Sequence, residues 1–164
     1  MNIGEICTRE IVFTDRGASL QEAAELMRER HVGTLLVTGD SGDGPQVVGI
    51  VTDRDVVVDA VARGLDVTQT EIGELASDDL AAMPLEASVD EAISAMKERR
   101  VRRLVVEDDG AVYGVLSLDD LFDALAHEMS ELSRAARGGI ERETSERAPF
   151  PAATPVPIRV HIAD

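Results

Sequence analysis

The sequence predicts an α/β (α+β) fold made of two copies of one β-α-β-β-α unit, with a short helical turn in front and a tail behind. Three features carry that reading. The stretch Val47-Val48-Gly49-Ile50-Val51-Thr52-Asp53-Arg54-Asp55-Val56 is a β-branched run closed by Thr-x-x-Asp, and Ala111 to Leu121 repeats the phrase with Ser for Thr. The same helix-opening box occurs twice, as Ser19-x-x-Glu22 and Ser88-x-x-Glu91. When the sequence is slid on itself so that Ile3 falls on Ile72, Ser19, Glu22, Ala23, Met27, Arg30, Val32 and Val37 fall on Ser88, Glu91, Ala92, Met96, Arg99, Val101 and Val106. Later positions align as Gly49 on Gly114, Thr52 on Ser117 and Asp55 on Asp120, once the longer loop Gly39 to Pro45 is set against Glu107 to Gly110. Surface loops absorb such length changes at little cost.

The elements follow in order. A short helical turn, Ile3 to Ile6, is matched by Ile72 to Leu75. A short apolar piece at Ile11 to Phe13 has a weaker copy near Leu80 to Ala82. A helix starts at each Ser-x-x-Glu box, where the two side chains take up first-turn N–H groups. Leu20, Ala23, Ala24 and Met27 recur at helical spacing, as do Val89, Ala92, Ile93 and Met96, so one face of each helix is apolar. Two strands come next, Thr34 to Thr38 with Val47 to Val51, then Leu104 to Val106 with Ala111 to Leu116, joined by Asp- and Gly-bearing turns suited to hairpins. A second helix closes each unit, from about Arg54 to Ala62 before Gly64, and from about Leu118 toward Arg137 before Gly138-Gly139. The latter carries Leu121, Leu125, Met129 and Leu132 on one stripe, longer than its counterpart, and a surplus apolar face of that kind points to a second subunit. From Gly138 the chain turns polar and then proline-rich at Pro149, Pro151, Pro155 and Pro157, which reads as a mobile, disordered tail. Within it, Pro157 to Ile162 alternates as a docked strand does. The expected organisation is repeat one over 1–66, repeat two over 67–137 and a tail over 138–164.

Composition narrows the function classes. The chain has 164 residues, 44% of them hydrophobic but only 2% aromatic, so its core is built from Val, Leu, Ile, Ala and Met. A formal net charge of −16 repels a phosphate backbone and argues against a nucleic-acid partner. A small nucleotide needs only a few local cations, and here these are almost all Arg, with Lys97 the one Lys. Arg suits planar, bidentate contacts. Cys7 is the single cysteine, and His31, His127 and His161 lack ligand spacing, so neither a disulfide nor a metal cluster is expected. No run is long enough to span a membrane and the N-terminus lacks a signal-peptide pattern, so the expectation is a cytoplasmic protein without a membrane partner. No nucleophile–base pair or P-loop supports an enzyme.

The repeated phrase is where chemistry is expected. A strand feeding a helix start leaves N–H groups pointing outward, a seat for an anionic or polyhydroxylated ligand. Thr-x-x-Asp is equally a capping box that many helices use with no ligand, and the residues alone leave both roles open. His31 reads as a capping or partly buried side chain, and Cys7 as a packed loop residue. Arg99 and Arg100 suit a helix C-terminus. Arg102 and Arg103 start a strand, where no dipole accounts for them.

Two β-α-β-β-α repeats, each ending in Gly-h-h-[Thr/Ser]-x-x-Asp-h (h is apolar), resemble a tandem pair of cystathionine-β-synthase (CBS) domains, over Met1 to about Glu131. The resemblance implies a pseudo-two-fold pair with two clefts between the repeats, a Bateman module that binds adenosine derivatives and dimerises. It implies that Asp55 accepts hydrogen bonds from ribose hydroxyls, with Thr52, Arg54, Arg102 and Arg103 near the phosphate and Ile50 in the cleft. Ser117, Asp119, Asp120 and Val115 are the matching set in repeat two, and Ile11 and Leu80 flank an adenine. Asp119 stands where repeat one has Arg54, and Gly33 and Thr34 stand where repeat two has Arg102 and Arg103, so the Asp55 cleft is the better equipped. The expected function is a regulatory module sensing AMP, ADP or ATP, with S-adenosylmethionine a further candidate ligand and no resident cofactor. It would form a homodimer and act on a separate regulated protein. The rival is a dimerisation scaffold that keeps the fold but not the ligand.

Overall fold

The computed structural model describes residues 1–40, 42, 44–77 and 80–146. A 3₁₀ turn, Ile3–Glu5, is capped by Asn2 and leads to β1, Phe13–Asp15. Helix α1, Leu20–Arg30, is followed by β2, Thr34–Asp40, and β3, Pro45–Thr52. Helix α2, Asp53–Asp55, runs on as a π-helical stretch, Val56–Val61. Repeat two has the same order: a 3₁₀ turn, Ile72–Glu74, then β4, Ala82–Pro84, α3, Val89–Arg99, β5, Arg103–Asp108, β6, Ala111–Ser117, and α4, Leu118–Glu146. Strand order is β1-β2-β3 in one sheet and β4-β5-β6 in the other. In each sheet the first pairing is parallel, across the intervening helix, and the second is an antiparallel hairpin. The register slips at Val37/Thr38 in one hairpin and at Val106/Glu107 in the other, which are aligned positions of the two repeats.

Local chemistry sets the helix limits. The Ser19 N–H and hydroxyl both donate to Glu22 Oε2 at 2.8 Å, and Ser88 does the same to Glu91 at 2.8 and 2.7 Å. Each box holds the chain extended before the helix and occupies donors that the first turn cannot satisfy. The two helices end alike, with His31 (φ 55°) and Arg100 (φ 56°) in the left-handed conformation. His31 is thus an exposed C-cap residue.

The cores cross the boundary between the sequence repeats. Ile3 is fully buried among Val89, Ala92, Met96, Leu104 and Leu116 of repeat two. Ile72 is fully buried among Leu20, Ala23, Leu35 and Val51 of repeat one. Backbone bonds fix the exchange: Ile3 N–H donates to the Ala87 carbonyl at 2.9 Å and Ile72 N–H to the Ala18 carbonyl at 2.7 Å. The glycine of the repeated phrase has a packing reason. A Cβ on Gly114 would lie 2.6 Å from Cys7 Sγ, and one on Gly49 would lie 2.8 Å from Ala76 Cβ. Only glycine lets β3 and β6 approach the segments after the 3₁₀ turns so closely.

Three expectations about the second helices are corrected. The helix after Thr52 widens to π spacing, with Ala62 N–H donating to the Val57 carbonyl at 3.0 Å. Three successive valines crowd an α-helical turn, because β-branched side chains press on the turn before them. Helix α4 does not stop at Gly138-Gly139 but continues to Glu146, so the part of the expected tail before residue 147 is helical. The candidate strand Pro157 to Ile162 lies outside the described residues. Finally, the expected α4 stripe divides: Leu121 is buried in its own core, whereas Leu125, Met129 and Leu132 are exposed together with Phe122. Met1–Ala124 forms one compact unit holding both repeats, and the chain from Leu125 onward is a second unit. Among the described residues, no helix is long and apolar enough to cross a membrane.

Candidate functional site

Among the clefts of the compact unit that draw on both repeats, a wide one of about 690 Å³ lies between the hairpins, lined by Phe13, Thr38, Val47, Leu80, Glu107 and Val112, and two smaller ones hold the closing phrases. The first, of about 300 Å³, has apolar walls from Ile50, Leu80, Val101 and Val105, and polar groups from Thr52, Asp53, Arg54, Asp55, Ser77, Arg102 and Arg103. The second, of about 200 Å³, is walled by Ile11, Val12, Val32, Leu36 and Val115, and carries Thr8, Glu10, Thr34, Arg103, Ser117 and Asp120. Each cleft thus joins the closing phrase of one repeat to the strand start of the other. The sequence-predicted residues divide cleanly. Ile50, Thr52, Arg54, Asp55, Leu80, Arg102 and Arg103 share the first cleft, and Ile11, Val115, Ser117 and Asp120 share the second with Arg103. Asp119 lines neither cleft and is exposed on the first turn of α4.

Asp55 and Asp120 hold the same position in both halves. Thr52 N–H and Oγ1–H donate to Asp55 Oδ2 at 2.8 and 2.7 Å. Ser117 N–H and Oγ–H donate to Asp120 Oδ2 at 2.7 and 2.6 Å. In both boxes the bonds go to Oδ2, and an ionised carboxylate is acceptor-only with a second oxygen still to use. Capping and ligand binding are therefore compatible roles for one side chain. Asp53 also lines this cleft, and its Oδ1 takes the Arg54 N–H at 2.8 Å.

Charge separates the clefts. Three guanidinium residues, Arg54, Arg102 and Arg103, line the first against Asp53 and Asp55. The second has Arg103 against Glu10 and Asp120. Arg9 lies between two lining residues of the second cleft, but its guanidinium sits over the Tyr113 ring, 4.6 Å from the centroid, and its Nη2 donates to the Gly4 carbonyl at 3.5 Å. The asymmetry rests on Arg54, whose aligned residue Asp119 lines neither cleft, on Gly33 and Thr34 standing in place of an arginine pair, and on Glu10. Cys7 lies beside the second cleft. Burial raises its thiol pKa above the ordinary range, the nearby Arg9 charge opposes that shift, and Asp120 adds to it.

Two lining hydroxyls were not anticipated from the sequence, Thr8 and Ser77. Both hold β-bridges to the phrase strands: Thr8 N–H donates to the Val115 carbonyl and Ser77 N–H to the Ile50 carbonyl, each at 3.0 Å. The repeat alignment that sets Ile3 on Ile72 also sets Thr8 on Ser77, a signal present in the sequence.

Comparison with known proteins agrees with this architecture. The CBS domain family profile matches residues 3–59 and 72–127. Hypoxic response protein 1 of Mycobacterium tuberculosis is 34% identical over 121 residues, which are 74% of this chain and 78% of that protein. A crystal structure of Hypoxic Response Protein I with two coordinated zinc ions superposes with a TM-score of 0.62 at 29% identity, covering 75% of this chain and 98% of that one. A signal-transduction protein with CBS domains from Burkholderia ambifaria superposes with a TM-score of 0.67 at 28% identity, over 76% of this chain and 93% of that one. Among the described residues of this chain, no three His, Cys, Asp or Glu side chains are grouped to hold a metal ion. With both halves matched and the two repeats folded alike, this chain belongs to the CBS-domain family as a tandem pair.

Proposed function

We propose that the chain is a regulatory module that binds an adenine nucleotide in the first cleft and passes the bound state to a separate protein. The observation that carries the reading is one cavity lined by the Asp55 carboxylate, the Thr52 hydroxyl, Arg103 at the start of β5 with Arg102 just before it, and apolar walls. Asp55 Oδ1 accepts from the ribose hydroxyls while Oδ2 keeps the cap. Arg102 and Arg103 take the phosphate oxygens, with Thr52 and Arg54 beside them, because guanidinium–phosphate pairs are bidentate and charge-assisted. Ile50 and Leu80 flank the base. A cavity of about 300 Å³ is within the range of small-molecule sites. The second cleft, with fewer cations, is the weaker site for a phosphorylated ligand. The family's regulatory character supports a role exerted on a partner.

A melting screen with AMP, ADP, ATP, S-adenosylmethionine and GMP tests the reading. A ligand at about 100 times its dissociation constant adds roughly 2.7 kcal/mol of stability. An upward shift with an adenine nucleotide that is larger than with GMP is expected. No shift with any of the five would favour the scaffold, in which Asp55 and Asp120 are caps and nothing more.

A further inference from the structure

A further cleft, of about 560 Å³, lies between β1 and α1 and is built by repeat one alone. Its less exposed lining is Thr14, Ala18 and Leu26, and its exposed rim is Asp15, Glu22, Glu25 and Glu29. The three glutamates are spaced three and four apart, so they share one side of α1. Arg28 and Arg30, the basic residues of that helix, lie about 100° round from the stripe, at roughly 3.6 residues per turn. Arg16 turns toward β2, where a Cβ on Gly39 would lie 3.2 Å from its Cδ. None of the four carboxylates is ion-paired among the described residues.

Thr14 points to a ligand. It is 9% exposed, the buried polar side chain among the described residues. Its carbonyl accepts from the Thr38 hydroxyl at 3.1 Å, but its own hydroxyl has no hydrogen-bond partner among those residues. No sealed side-chain nitrogen or oxygen is left unpaired there, so the Thr14 hydroxyl opens into the cleft that it lines. A hydroxyl held that deep without a partner is costly. The fold does not require it. Met83, Pro84 and Ser94 stand in repeat two where repeat one has Thr14, Asp15 and Glu25, on the same strand and helix frame.

We propose that this cleft receives a Lys or Arg side chain from a basic segment of the separate protein on which the module acts. Ala18 and Leu26 suit the aliphatic stem, while the carboxylates and the Thr14 hydroxyl accept from the N–H donors of its head. An adjoining cleft of about 400 Å³ shares Gly17, Glu22 and Glu25 and adds Glu71, so a second basic residue of the segment meets its own acidic wall. Charge selects the occupant. A chain of net charge −16 repels nucleic acid, and this face repels its own copy. Among the described residues no three carboxylates are grouped to hold a metal ion. The inference rests on the partner half of the proposed function and needs no nucleotide.

The probe is an end-blocked, fluorescent Arg-rich peptide, titrated by anisotropy into the full chain at about 0.15 M salt, where exposed charges more than about 8 Å apart are screened. Glu25→Gln with Glu29→Gln should weaken binding about tenfold, the upper range for two exposed ion pairs. Thr14→Val, which keeps the shape and removes the hydroxyl, should weaken it about three-fold without lowering the melting temperature. Asp90→Asn with Glu98→Gln removes the same charge from α3 and should have little effect. AMP titration of the same samples reports the first cleft separately and should be the same in every variant, so loss of one site is distinguished from loss of the other. No saturable peptide binding by the wild-type chain overturns the proposal. So does equal weakening by the α1 and α3 pairs, which is attraction by net charge alone. Displacement of the peptide by spermidine at matched charge would seat a small polyamine in the cleft, and altered sedimentation of the α1 pair without peptide would seat a second copy there; either result overturns the proposal.

Discussion

Asp55 and Asp120 close the same box in the two repeats, yet the clefts around them differ in charge, and the difference lies in single residues. Arg103 begins β5 with Arg102 just before it, while Gly33 and Thr34 stand at the aligned places before and in β2. Arg103→Ala is expected to weaken AMP by roughly ten-fold or more, the loss of a charge-assisted contact. Adenosine, which lacks the phosphate, should be nearly unaffected, and titration of both ligands against the variant checks the split. Asp119→Ala should change neither cleft, because the side chain is exposed and lines neither. A change in nucleotide affinity on that substitution, measured by the same titration, would return Asp119 to the site. The sequence phrase placed Asp119 opposite Arg54 by alignment alone. Alignment gives position along a helix but not which way the side chain turns, and α4 keeps its regular course where α2 widens to π spacing. The alignment did bring Thr52, Asp55, Arg102 and Arg103 to notice, because strand ends and helix starts are marked by residue type. Thr8 and Ser77 escaped notice because their contribution lies in backbone bridges, which leave a weaker trace in side-chain identity.

At the scale of elements, the helix starts were the most legible feature, since a capping box states its own hydrogen bonds. Ser19 with Glu22 and Ser88 with Glu91 are found as written. The bonds from Ser19 and Ser88 hold the Glu22 and Glu91 carboxyls below their ordinary range, chiefly through the serine N–H. A carboxylate depressed in the folded state stabilises at pH above its unfolded value and loses that contribution as pH falls through its folded one. The start of α1 and α3 should therefore loosen progressively below about pH 4.5, the reference value for both groups. Glu22→Gln with Glu91→Gln should flatten the acid side of the stability profile, while lowering the plateau at neutral pH. A melting series from neutral to acid pH checks it, and an unchanged acid limb in the double variant would remove these boxes from the account. The π widening after Asp55 and the hairpin register slips were not legible. The slips depend on how the strands are pressed by their neighbours, and a run of three valines marks crowding without telling whether the helix answers it by widening or by ending.

At the scale of the molecule, the duplication was plain in the sequence and the interleaving was not. Ile3 and Ile72 look alike and each reads as the start of its own repeat, but each is buried in the other repeat's core. Which of two equivalent cores an apolar turn joins is decided by chain reach and by bonds such as Ile3 to Ala87. The consequence is one cooperative unit. Ile3→Ala should cost about 2–5 kcal/mol, as for a fully buried aliphatic side chain, and should lower a single unfolding transition in urea. Two separate transitions, with only one shifted, would show that the repeats unfold independently. The same exchange holds the closing phrase of one repeat against the strand start of the other, which is how two clefts arise from one duplicated motif.

The clefts matter only if a nucleotide uses them, and calorimetric titration of AMP into the wild-type chain and Asp55→Ala, with apo melting of both, is the direct test. Asp55 caps α2 through Oδ2, so the variant should lose about 1 kcal/mol of apo stability, in keeping with a lost cap. It should also bind AMP about ten- to a hundred-fold more weakly, the equivalent of roughly 1.5–3 kcal/mol for hydrogen bonds to a charged group. Loss of apo stability with AMP affinity unchanged would make Asp55 a cap alone and contradict the assignment of the first cleft.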